Sequence, residues 1–123
     1  MPDTILAVDD NPQNLKLVRL LLAAEGHHVV TAADADEALR VLETTTPAVI
    51  LMDLQMPGMD GLELTRRLKA DPARSEIIVI ALTAYAMRGD RERALAAGCD
   101  DSVTKPIDTT ALVSLVARWL ERA

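Results

Sequence analysis

Four short, mainly apolar runs of this chain each lead into residues suited to metal or phosphate. Residues 5–8 run into Asp9 and Asp10, 48–52 into Asp53, 77–82 into Thr83, and 102–104 into Lys105 and Pro106. If the runs are parallel strands, their carboxyl ends share one rim, where ligands of open α/β sheets collect. Three carboxylates, a hydroxyl and an ammonium then converge on one crevice. Two unit negative charges 4 Å apart repel by roughly 4 kcal/mol at an effective dielectric near 20, so such a cluster opposes folding unless it holds a cation. Oxygen-only ligands on an open rim suit Mg²⁺, which keeps several waters and takes one or two carboxylates plus phosphate oxygens; Mn²⁺ suits the same donors. Zinc does not fit, because neither His27 nor His28 lies at a strand end with Cys or a second spaced ligand. With the metal held by two acids, the third carboxylate is free to attack phosphorus and form an aspartyl-phosphate. Phosphoryl transfer is mostly positioning and countercharge. Lys105 offers a point charge, Thr83 a hydroxyl donor, and backbone N–H groups after Asp53 and Thr83 could complete the cradle.

The elements that must position these groups alternate in type. After residues 5–8, Asn11 is a helix cap and Pro12 suits the first helical position, with a stripe of Leu15, Val18 and Leu22 running to about Glu25 and Gly26 as a left-handed stop. Residues 28–32 read as a second strand. Asp34 with Glu37 forms a capping box for a second helix, which Thr44 to Pro47 ends. Residues 48–52 are continuously apolar, as a central parallel strand covered on both faces should be. Met56, Pro57 and Gly58 signal a turn, and Asp60 with Glu63 a further capping box before Leu62, Leu64 and Leu68. That role accounts for Asp60 without chemistry. A fourth strand at 77–82, a helix from Gly89 to Ala97, a weak fifth strand at about 101–104 and a last helix capped by Asp108 complete the chain. Five strand-then-helix units predict a doubly wound, five-stranded parallel sheet in the order 2-1-3-4-5, a flavodoxin-like (βα)5 three-layer sandwich. Its switch point lies between strands 1 and 3, which carry Asp9, Asp10 and Asp53.

Composition narrows the setting. The 123 residues are expected to form one domain, 1–123. A net charge of −6, with basic residues scattered among acids, argues against a nucleic-acid face. The single cysteine, Cys99, has no disulfide partner and no neighbouring His, so it is expected to pack as a small residue in a reducing compartment. The amino terminus lacks signal-peptide features, and no apolar stretch approaches a membrane span, so a cytoplasmic location is expected.

Taken together, Asp9-Asp10-Asn11, the stretch from Ile50 through Asp53 and Met56-Pro57-Gly58 to Asp60-Gly61, Thr83-Ala84 and Lys105-Pro106 resemble the receiver domain of two-component response regulators. The resemblance covers almost the whole chain. It implies that Asp53 is the phosphoacceptor, Asp10 a direct Mg²⁺ ligand, Asp9 a ligand through water and the Gln55 carbonyl the last protein ligand. Thr83 and Lys105 would bind the phosphoryl oxygens, and a cis bond before Pro106 would aim Lys105. It further implies a sensor histidine kinase or histidine phosphotransfer protein as donor, docked on the first helix. Phosphorylation would then move Thr83 and alter the face of the fourth helix, fifth strand and fifth helix, where a downstream protein binds; the chain would be a monomer or a weak, phosphorylation-linked dimer. The segment from Thr83 to Asp90 is also similar to stand-alone regulators of the DivK type and to receivers fused to hybrid kinases.

One departure concerns the switch. The family carries Tyr or Phe three residues before the strand 5 lysine; here that place is Ser102, and the one tyrosine is Tyr85. Tyr85 is expected to take over part of the aromatic readout, and Gln55 with Tyr85 to tune the phosphoryl lifetime. Trp119 is read as core cover. Leu15, Leu17, Val18, Leu20, Leu21 and Leu22 exceed one core stripe, so part of the first helix should be exposed or paired. Three rivals stand beside a single-domain switch: the same domain cut from a hybrid kinase, a Mg²⁺-dependent phosphohydrolase using Asp53, which lacks a candidate general acid or lid, and a phosphate-independent interaction module.

Overall fold

The computed structural model of the protein describes residues 4–54, 61–83, 90–104 and 108–122. Strands β1 (Thr4–Val8), β2 (His28–Ala32), β3 (Val49–Asp53), β4 (Ile78–Thr83) and β5 (Asp101–Thr104) alternate with helices α1 (Pro12–Ala24), α2 (Ala35–Thr44), α3 (Gly61–Ala70), α4 (Asp90–Ala97) and α5 (Thr109–Arg122). The strands form one parallel sheet in the order β2-β1-β3-β4-β5, as the alternation predicts.

Side-chain alternation along the strands builds two cores. Leu6, Val8, Ile50, Met52, Val79 and Ala81 pack under α2, α3 and α4, with Leu42, Leu64 and Leu68 as the helical partners. Ile5, Ala7, Val49, Leu51, Ile80 and Leu82 point the other way, against Val18 and Leu22 of α1 and Leu112 and Val116 of α5. Burial on both faces is why these three central strands are apolar without interruption. The strand β5 reads weakly because it stands at an edge of the sheet: Asp101, Ser102 and Val103 are each half-buried.

The helix signals resolve into atoms. Asn11 accepts hydrogen bonds from the backbone N–H of Gln13 (2.9 Å) and Asn14 (3.4 Å), Asp34 from Glu37 (2.8 Å), and Asp108 from Ala111 (3.0 Å). Gly26 follows α1 with φ 91° and Gly98 follows α4 with φ 111°, the left-handed conformation that glycine adopts without a Cβ clash. Strand limits shift by one residue: Ala48 and Ile77 precede β3 and β4, whereas Asp53 and Thr83 are their last residues. The Met56-Pro57-Gly58 turn, the Asp60 cap and Gly89 lie outside the described residues.

The sheet end opposite the acids is pinned by Lys69 of α3. Its ammonium donates to the carbonyls of Ile77 (2.7 Å) and Ser75 (3.3 Å) and to Asp100 Oδ2 (3.0 Å), an oxygen that also accepts from Val79 N (2.8 Å). One cation thereby ties α3, the start of β4 and the α4–β5 turn together. Trp119 covers the α5 side as expected and also donates from Nε1 to Asp101 Oδ2 (3.0 Å), fastening α5 to β5. On α1, Val18 and Leu22 are buried while Leu17 and Leu20 are 39 % and 61 % exposed, so two leucines do stand outside the core.

Candidate metal centre

Parallel pairing of β1 with β3, in register from Ile5↔Val49 to Val8↔Met52, puts the residues that follow Val8 and Met52 at one level of the rim. There Asp9, Asp10 and Asp53 meet: one carboxylate oxygen from each lies within 4.8 Å of the others. Among the described residues this is the one such cluster of acids, histidines or cysteines. Asp9 and Asp53 are buried, each 2 % exposed, whereas Asp10 faces solvent. Two buried carboxylates no more than 4.8 Å apart repel by roughly 3 kcal/mol or more at an effective dielectric near 20. The donor set is hard oxygen only, with one open side at Asp10, and it fits a small divalent cation that retains part of its water shell.

The two acids contributed by the β1 end are held differently. Asp9 Oδ1 accepts from the backbone N–H of Asn11 (2.9 Å), and Oδ2 accepts from the Asn14 carboxamide (3.2 Å). The start of α1 therefore grips both oxygens of Asp9. No hydrogen bond or ion pair among the described residues engages the side chain of Asp10. One acid is fixed and inward; its neighbour is free to turn toward a ligand.

The backbone of Thr83 ends β4 beside Asp53. Asp53 pairs with Leu82, the Leu54 N–H donates to the Leu82 carbonyl (3.1 Å), and Thr83 itself pairs with Thr104. Lys105 follows Thr104 directly in the chain. The positions of Gln55, Tyr85, Lys105 and Pro106 lie outside the described residues, as does the side chain of Thr83. Ser102 sits half-buried in β5 and, by strand alternation, on the face opposite Asp101 and Val103, which is the face that α4 covers.

Sequence reasoning missed two positions. Asn14 was indistinguishable from a solvated helix residue; the available signal was a carboxamide in the first turn of a helix that begins beside an acid. Gly61 has a packing role, because a Cβ there would collide with the Asp53 carbonyl and touch Leu54 Cα. Glycine lets α3 approach the backbone of the central acid closely. Cys99 is buried, with Sγ 3.8 Å from Thr65 Oγ1, and burial pushes its thiol above the ordinary value. It is packed, as expected. His28 is exposed and His27 half-buried, and neither joins the acids. No helix among the described residues is long and apolar enough to cross a membrane.

Residues 5–117 match the family of the response regulator receiver domain. A curated relative, the polar-differentiation response regulator DivK of Brucella anthropi, is 39 % identical over 120 residues, covering 98 % of both chains. A signal receiver domain of a signal transduction histidine kinase from Syntrophus aciditrophicus superposes with a TM-score of 0.91 at 36 % identity, covering 98 % of this chain and 92 % of that one. The receiver domain of the sensor histidine kinase PA1611 from Pseudomonas aeruginosa gives 0.89 at 36 % identity, over 98 % and 99 %, and has a magnesium ion coordinated in its active site cleft.

Proposed function

We propose that this chain, which belongs to the response regulator receiver domain family, is a phosphorylation switch in which Asp53 accepts a phosphoryl group from a phosphohistidine. The meeting of Asp9, Asp10 and Asp53 at the carboxyl rim of β1 and β3 carries this reading. An oxygen of the Asp53 carboxylate attacks phosphorus in line, the P–N bond to the donor imidazole breaks, and its electron pair stays on the departing nitrogen. Asp10 would bind Mg²⁺ directly, Asp9 through water, and Asp53 with the Gln55 carbonyl would complete the protein ligands; Mn²⁺ fits the same set. When bound, the metal supplies countercharge to the phosphoryl oxygens. Lys105 and the Thr83 hydroxyl take the remaining oxygens, and Thr83 carries the change to Tyr85, two residues on in the chain.

The chain works as one receiver unit over residues 1–123. It assists its own phosphorylation and dephosphorylation and turns over no separate substrate. A sensor histidine kinase or histidine phosphotransfer protein is the donor, and the exposed Leu17 and Leu20 of α1 offer it an apolar contact. The output is protein binding on the face of α4, β5 and α5, with Ser102 in place of the aromatic switch residue and Tyr85 supplying the ring. A buried, unpaired thiol suits a reducing cytoplasm.

Incubation with Mg²⁺ and a small-molecule phosphodonor, followed by intact mass, tests this function. One base-labile phosphoryl group is expected, absent in Asp53→Asn and without chelated metal. Repeated release of product from a phosphoester would instead mark a phosphohydrolase.

A further inference from the structure

The Asn14 carboxamide touches the acid cluster without being an acid. It donates from Nδ2 to Asp9 Oδ2 at 3.2 Å, while the backbone N–H of Asn11 donates to Asp9 Oδ1 at 2.9 Å. Asn14 is itself fixed at its backbone, where its N–H donates to the Asn11 side chain (3.4 Å) in the first turn of α1. Asp9 is thus clamped at both oxygens by a helix start that Asn11 and Pro12 make rigid.

We propose that Asn14 is a positioning residue for the cation site: its amide fixes the orientation of the buried Asp9 carboxylate within the acid cluster, leaving the exposed Asp10 to bind directly. This inference rests on the reading of the acids as a Mg²⁺ site. The chemistry of the side chain fits the task. A carboxamide donates one hydrogen bond to a carboxylate without neutralising it, so the negative field that attracts the cation is kept. An ammonium or guanidinium at the same place would be a tethered countercharge competing with the metal. A second carboxylate would repel Asp9 and remove the Asn14 donor from Oδ2.

Partners that orient a metal's ligands are worth on the order of ten-fold to a hundred-fold in metal affinity. The test is Mg²⁺ titration by calorimetry on the whole chain, comparing Asn14→Leu, which keeps bulk and removes the donor, with the parent protein. Asn14→Ala serves if the leucine variant does not fold. A loss of affinity of ten-fold or more is expected. The same substitution in an Asp9→Asn background should cost less than two-fold, because its target is gone. Unchanged Mg²⁺ affinity in Asn14→Leu or Asn14→Ala overturns the proposal. So does an equal loss in both backgrounds, which would mark a general role in holding α1. Failure of the parent protein to bind Mg²⁺ refutes the cation site itself, and the positioning role with it.

Discussion

Replacing Lys69 by methionine removes the cation that ties α3 to the start of β4 and the α4–β5 turn while keeping the aliphatic stem that lies against Gly98. Three acceptors lose their donor: the Ile77 carbonyl at 2.7 Å, Asp100 Oδ2 at 3.0 Å and the Ser75 carbonyl at 3.3 Å. Hydrogen bonds to charged groups contribute about 1.5–3 kcal/mol each, and an acceptor left buried without a donor costs about 1–3. The side chains of Lys69 and Asp100 are 21 % and 30 % exposed, so water recovers part of that loss, and Asp100 keeps its bond from Val79. A net destabilisation of about 3 kcal/mol results, a large share of the roughly 5–15 kcal/mol that holds a domain together. Urea unfolding followed by circular dichroism measures it as a fall in midpoint at constant slope. Asp100→Asn should cost about 1–2 kcal/mol less in the Lys69→Met background than alone, since neighbours in one network are not additive. A Lys69→Met variant within 0.5 kcal/mol of the parent, or strict additivity with Asp100→Asn, would refute the staple. Because the staple lies at the far end of the sheet, Mg²⁺ affinity should stay within about two-fold of the parent, inside a few tenths of a kcal/mol.

Magnesium at a hundred times its dissociation constant should stabilise the protein by about 2.7 kcal/mol through linkage, read as a rise in melting temperature that Asp10→Asn diminishes; no rise at low salt would contradict the acid cluster. Gly61→Ala forces a methyl group onto the Asp53 carbonyl and should lower the rate of phosphoryl uptake together with stability by about 1–3 kcal/mol; wild-type uptake kinetics would show that this close approach is immaterial. Burial raises the Cys99 thiol, so the folded state holds its proton longer than the unfolded chain does. The stability linked to it is intact below the ordinary thiol value of about 8.5 and falls as pH climbs toward the raised one. Native protein at pH 8 should therefore react with a thiol reagent only as fast as it opens, and Cys99→Ala should flatten the alkaline loss; rapid labelling would contradict the packing of Cys99 against Thr65.

Much of the scaffold was legible because the central strands β1, β3 and β4 are buried on both faces, which demands unbroken apolar runs. Asn11, Asp34 and Asp108 declared their helices because a cap bond is local, spanning two or three residues. Strand limits slipped by one because pairing, not hydropathy, ends a strand: Asp53 is polar yet lies in register with Leu82. The gathering of Asp9, Asp10 and Asp53 followed from topology once the strand order was set. The grip of Asn14 on Asp9 and the approach of Gly61 to Asp53 did not, since each depends on where a helix sits against a strand end. Lys69 and Asp100 are 31 residues apart, and no local pattern marks either as the other's partner. Ser102, the departure at the switch position, lies in β5.

The most direct trial of the central claim is chemical trapping of the phosphorylated residue. After loading with Mg²⁺ and a phosphodonor, borohydride reduction should convert one aspartate to homoserine, and peptide mass mapping should find it at position 53. Homoserine at Asp9 or Asp10, or phosphate retained on a serine, threonine or histidine, would contradict the account.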